Sequence, residues 1–195
     1  PKGSHMIATE VASPFFAPFK LTLFFAIFIT VPYILYQAWA FISPGLYANE
    51  KKFTVPLLIS SSLLFYIGVA FAYYIVFPML FSFLTVSAPK GVQVMTDINH
   101  YLNFVIKLFF AFGISFEIPV ATFLLVRSGF TTVKKLSANR PYIIVLAFLI
   151  GMLLTPPDII SQILLAVPIW LLFEVGLILT HHYENKTSVT YKPGD

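Results

Sequence analysis

Phe110-Ala111-Phe112-Gly113-Ile114-Ser115-Phe116-Glu117-Ile118-Pro119 sets one carboxylate, Glu117, inside an apolar run from about Tyr101 to Val126. Pro119 follows two residues later; it lacks a backbone donor and loosens the turn before it. In a soluble chain Glu117 would be an odd core residue. In a membrane span, an ionisable group at such depth marks a functional site by default. The rest of the chain decides between these settings.

Composition points to the membrane. Hydrophobic residues make up 58% of the chain and charged residues 10%, against roughly 45–50% and about 25% in soluble domains. Several runs exceed the roughly 18 apolar residues that mark a spanning helix. The fold expected is an all-α membrane protein, a single polytopic domain over 1–195 with five transmembrane helices. Spans are expected at 21–42, 56–83, 101–126, 141–155 and 159–180. Loops fall at 1–20, 43–55, 84–100 and 127–140, with a polar, fraying tail at 181–195. Pro56 suits a first helical turn, whereas Pro32, Pro78 and Pro168 are expected to kink or end helices. The span before Thr155-Pro156-Pro157-Asp158 is short for a hydrocarbon core of about 30 Å.

Lys and Arg orient the bundle. Lys51, Lys52, Arg127, Lys134, Lys135, Arg140, Lys186 and Lys192 fall on one side, against Lys2, Lys20 and Lys90 on the other. The positive-inside rule then puts the C-terminus in the cytoplasm and the N-terminus outside. An odd number of spans in that orientation is most simply repaired by one further helix upstream.

The chemistry is narrow. With no cysteine, thiolate metal sites and disulfides are excluded. The chain has no HExxH, no G-x-S-x-G and no P-loop, and no aspartate pair sits within the spans. No enzyme, metal or cofactor is expected, and the modest charge of +4 suggests topology and not a nucleic-acid surface. His181 and His182 read as solvated tail residues.

Lys107 and Glu117 are too far apart to pair, about 15 Å along one helix. Lys107 can snorkel to the nearer interface. Glu117 cannot, so it must meet protein, water or a polar groove, or else carry a proton. The bland alternative is a carboxyl satisfied by a neighbouring hydroxyl such as Ser115. Glu174 lies near the end of the last span and reads as interfacial. Glu50, beside Lys51 and Lys52, reads by itself as a solvated loop charge. From spans and charges alone, a translocase, a proton-coupled transporter of a small solute and a structural scaffold all stay open.

Longer motifs are more specific. Met6-Ile-Ala-Thr-Glu-Val-Ala-Ser-Pro-Phe-Phe16, Tyr36-Gln-Ala-Trp-Ala-Phe41, Ser61-Ser-Leu-Leu-Phe-Tyr-Ile-Gly68, Phe116-Glu-Ile-Pro119, Arg140-Pro-Tyr142 and Gly151-Met-Leu-Leu-Thr-Pro-Pro-Asp158 occur in this order. Together they resemble the TatC family, the polytopic receptor subunit of the twin-arginine protein translocase. The resemblance implies six spans in the family, of which this sequence lacks the first, beginning in the first periplasmic loop. It also favours Gly3-Ser4-His5-Met6 as native sequence over the scar of a cleaved tag.

The family's roles carry over residue by residue. Glu50 resembles the glutamate that binds the arginines of the signal peptide, with Phe41 in the same patch. Glu117 resembles a glutamate that projects into a concave groove, and Thr155 and Gln162, with Glu117, a docking region for single-span TatA- and TatB-type partners. Pro156, Pro157 and Asp158 form the turn between two short C-terminal helices, which would thin the bilayer locally. The implied setting is the bacterial inner membrane, as an oligomer with itself and TatB, driven by the proton-motive force.

Overall fold

The computed structural model describes residues 13–42, 51–87, 97–155 and 159–190. Every regular element among them is helical, as spanning segments must be where no water can satisfy the backbone. The order is α1 (Ser13–Ile42), α2 (Lys51–Phe71), a π-helical turn (Ala72–Val76), α3 (Phe77–Ser87), α4 (Ile98–Ser115), α5 (Ile118–Arg127), α6 (Val133–Ala138), α7 (Arg140–Leu154) and α8 (Ile159–Thr190). Four stretches are long and apolar enough to cross a membrane: Phe15–Phe41, Val55–Phe83, Ile98–Arg127 and Ile159–Tyr183. Arg140–Leu154 is a fifth, shorter apolar helix. Its 15 residues reach about 22 Å.

Several boundaries differ from those expected. Helix α1 starts at Ser13, eight residues before Leu21, with Pro14 in a first turn where a missing donor costs nothing. Helix α2 starts at Lys51, so Pro56 lies inside it and not in its first turn. Pro78 ends nothing. The Phe77 amide bonds the Ala72 carbonyl five residues back, and this widened turn accommodates the proline ring before the helix resumes to Ser87.

The C-terminal pair is also not uniformly short. Only α7 is; α8 runs 32 residues to Thr190, through most of what reads as a fraying tail. No glycine or proline interrupts 181–190, and the next proline is Pro193. The basic 127–140 segment is partly helical too. The Thr132 hydroxyl caps α6 by accepting from the Lys135 amide at 3.3 Å.

Packing ties α2 to α4, and α8 to both α5 and α7. Trp39, Val120 and Leu124 form one buried cluster with Leu35, Leu57 and Leu64 against it. The end of α1, the start of α2 and α5 therefore meet at one end of the bundle. A second cluster joins Ala72, Val76 and Leu80 to Leu108, Phe112 and Leu165. Helix α1 is the outlier, with 11% of its most apolar window buried against 44% for α4–α5. One bond helps fasten it: the Tyr66 hydroxyl donates to the Phe28 carbonyl at 3.1 Å. That carbonyl is available because Pro32, four residues on, has no amide to offer it.

Candidate functional site

Glu117 sits at a joint between two helices. Helix α4 ends at Ser115 and α5 begins at Ile118. The Phe116 amide still bonds Phe112 at 3.0 Å, but the Glu117 amide reaches only to Ile114, at 3.0 Å. Pro119 offers no amide to the Ser115 carbonyl, so the tightened turn and the proline mark one discontinuity.

Close helix approach holds the joint. A Cβ on Gly113 would lie 2.5 Å from the Phe65 ring, so only glycine lets α2 press on α4 here. A Cβ on Gly176 would lie 2.9 Å from Pro119 Cα, so α8 crosses directly over the start of α5. Small residues at such crossings let backbones approach, which drives helix association in lipid.

Within this frame Glu117 is 6% exposed. Its partner is the Ser61 hydroxyl of α2, which donates to Glu117 Oε2 in a short hydrogen bond. Ser61, itself fully buried, accepts from Trp39 Nε1 of α1 at 2.8 Å. The indole N–H can only donate, so Ser61 accepts from Trp39 and gives its own proton to the carboxylate. The other carboxyl oxygen, Oε1, is buried with no partner among the described residues. The neighbour expected from sequence, Ser115, instead donates to the Ala111 carbonyl at 2.6 Å. Trp39 and Ser61 were not anticipated as partners of the carboxylate. The available signal was a run of three serines, Ser60–Ser62, inside a charge-free span.

The other candidates fall elsewhere. Phe41 is 87% exposed, two residues beyond buried Trp39. Glu50, Pro156, Pro157 and Asp158 lie outside the described residues. The Thr155 hydroxyl folds back to donate to the Gly151 carbonyl of α7 at 2.8 Å, and α8 passes close to Gly151, where a Cβ would lie 3.1 Å from the Gln162 carbonyl. Gln162 Nε2 also bonds the Phe148 carbonyl at 2.9 Å, clamping α8 to α7. An apolar groove of about 400 Å³ runs between Phe71, Ile75 and Met79 on one side and Ile160, Ile163 and Val167 on the other. Glu117 is not in its lining. Lys107 is exposed. Glu174 makes a two-pronged ion pair with Arg140, both contacts at 2.8 Å.

Five apolar helices, one half-length, around a carboxyl buried at a proline joint define a polytopic membrane protein built to keep a polar group at depth. The family model for TatC, the Sec-independent protein translocase protein, matches residues 1–168. The chain belongs to the TatC family. It is 62% identical over 186 residues to the Sec-independent protein translocase protein TatC of Haemophilus influenzae, covering 95% of this chain and 73% of that one. The Escherichia coli K12 protein of the same name is 58% identical, with 95% and 72% covered. A crystal structure of the twin-arginine translocase receptor TatC in DDM superposes with a TM-score of 0.82 at 38% identity, covering 91% and 79%. Membership decides for a protein-translocase component over a small-solute transporter or a scaffold.

Proposed function

We propose that the chain is the receptor core of a twin-arginine translocase in the bacterial inner membrane, oriented with its basic loops and C-terminus in the cytoplasm. Glu50 binds the arginines of the signal peptide, a guanidinium being best matched by a carboxylate that can take it bidentately. Phe41 contacts the apolar side chains beside those arginines. Thr155 and Gln162, with Glu117, receive single-span TatA- and TatB-type partners, and the assembly moves folded cargo on the proton-motive force without enzymatic chemistry or cofactor. The observation that carries this reading is the 87% exposure of Phe41 at the end of α1. A bare aromatic nine residues before Glu50 in the sequence leaves an apolar surface open to a ligand with apolar side chains.

Site-specific photo-cross-linking to a twin-arginine precursor tests it. Glu50→Ala abolishes the adduct and Phe41→Ala weakens it about tenfold, roughly 1.4 kcal/mol, with membrane assembly unchanged in both. Undiminished cross-linking in Glu50→Ala removes that residue from the receptor site.

A further inference from the structure

A groove of about 640 Å³ opens between α6 and the far end of α8, at the end of the bundle where α5 finishes and α7 begins. Its rim carries Lys134, Ser137, Arg140 and His182, its wall carries Leu177 and Ile178, and no lining residue is acidic. The arrangement is stratified. The apolar stretch of α8 ends at Tyr183 and that of α7 starts at Arg140, so the cations stand level with the membrane boundary. Ile178 lies one helical turn inward from His182 and is exposed, whereas Leu177 is buried as floor.

Arg140 is held but not exhausted. Its pair with Glu174 engages Nε and one terminal nitrogen, two of the five guanidinium N–H groups. The rest remain as donors on a side chain whose direction the carboxylate fixes. Lys134 and Ser137 share a face of α6, three residues apart.

We propose that this groove binds an anionic phospholipid, its phosphate on Lys134, Ser137 and Arg140 and its first methylenes along Leu177 and Ile178. A bare phosphate would satisfy the rim but not the apolar wall. An acidic peptide would meet the rim and leave the same wall to water or lipid. One amphiphile satisfies both layers, and basic residues at a membrane surface favour anionic headgroups.

Native mass spectrometry of the full chain, titrated with dioleoylphosphatidylglycerol or dioleoylphosphatidylcholine, tests it. The phosphatidylglycerol adduct should form at concentrations at least about tenfold lower. Lys134→Gln with Ser137→Ala should erase most of that preference, while Lys134→Arg keeps it and Lys20→Gln leaves it untouched. If the double variant does not fold, Lys134→Gln alone should cost about fivefold. Three outcomes overturn the proposal: equal affinity for the two lipids, a phosphatidylglycerol preference that ignores the Lys134 variants, or displacement of the lipid by equimolar inorganic phosphate. Capture of a polyglutamate peptide with no lipid preference overturns it in favour of an acidic protein segment.

Discussion

Two carboxylates on the spanning helices meet their surroundings in opposite ways. Glu174, within the apolar part of α8, faces Arg140 in a two-pronged pair, the two side chains being 19% and 47% exposed. Glu117, at the α4–α5 joint, has a hydroxyl and, through it, an indole as company. The difference follows burial, Glu117 being 6% exposed. A guanidinium 47% exposed keeps part of its hydration, so the pair forms without complete desolvation. At Glu117 a cation would have to lose all of its water, a cost that the attraction does not reliably return. Neutral donors stabilise an oxygen there without importing a second charge. The buried carboxyl is thus held by geometry, and the more exposed one by charge.

The largest break in that contrast should come from Ser61→Ala. It strips Glu117 Oε2 of its donor and Trp39 Nε1 of its acceptor at once. A loss of about 2–3 kcal/mol is expected, read as the unfolding midpoint in mild detergent. No change would mean that the chain of hydrogen bonds contributes nothing to the fold. Trp39→Phe keeps an aromatic ring and the Ser61–Glu117 bond, and should cost about 1 kcal/mol for the lost hydrogen bond plus the smaller cost of the cavity left by the indole. Arg140→Gln should cost about 0.5 kcal/mol, as exposed pairs usually do. Raising the salt from 0.1 to 1 M should shrink the Arg140→Gln effect while leaving that of Ser61→Ala in place, because screening acts on exposed charges and not on buried neutral donors. Equal salt sensitivity of the two would dissolve the comparison.

Much of this architecture was legible in the residues, and the limits have physical causes. The five apolar helices followed from apolar run length, the short α7 from the prolines at 141 and 156–157 in the sequence, and the joint at Glu117 from Pro119. The fate of Pro78 was not legible, since a proline can end a helix or be absorbed by a π turn, and only the packed neighbours choose. The length of α8 was not legible in its polar end, because polarity signals exposure and not the loss of a helix, and nothing in 181–190 breaks one. Trp39 and Ser61 were the deepest omission. In a soluble helix the buried face announces itself by periodicity, but a span is apolar towards lipid and protein alike. Which of three serines turns inward is then a matter of rotation about the axis, and that is set by contacts such as Gly113 on Phe65.

Pro32 and Tyr66 hold a lesson about inheritance. The proline leaves the Phe28 carbonyl without its amide, and the tyrosine hydroxyl covers it. Losing the hydroxyl while the proline stays exposes a bare carbonyl to hydrocarbon. Losing the proline first merely lets the hydroxyl share an acceptor that the helix has reclaimed, since a carbonyl has two lone pairs. The pair is therefore epistatic with a direction: Tyr66→Phe should be tolerated in a Pro32→Ala background and penalised in the parent. Substitutions at these positions have a permitted order.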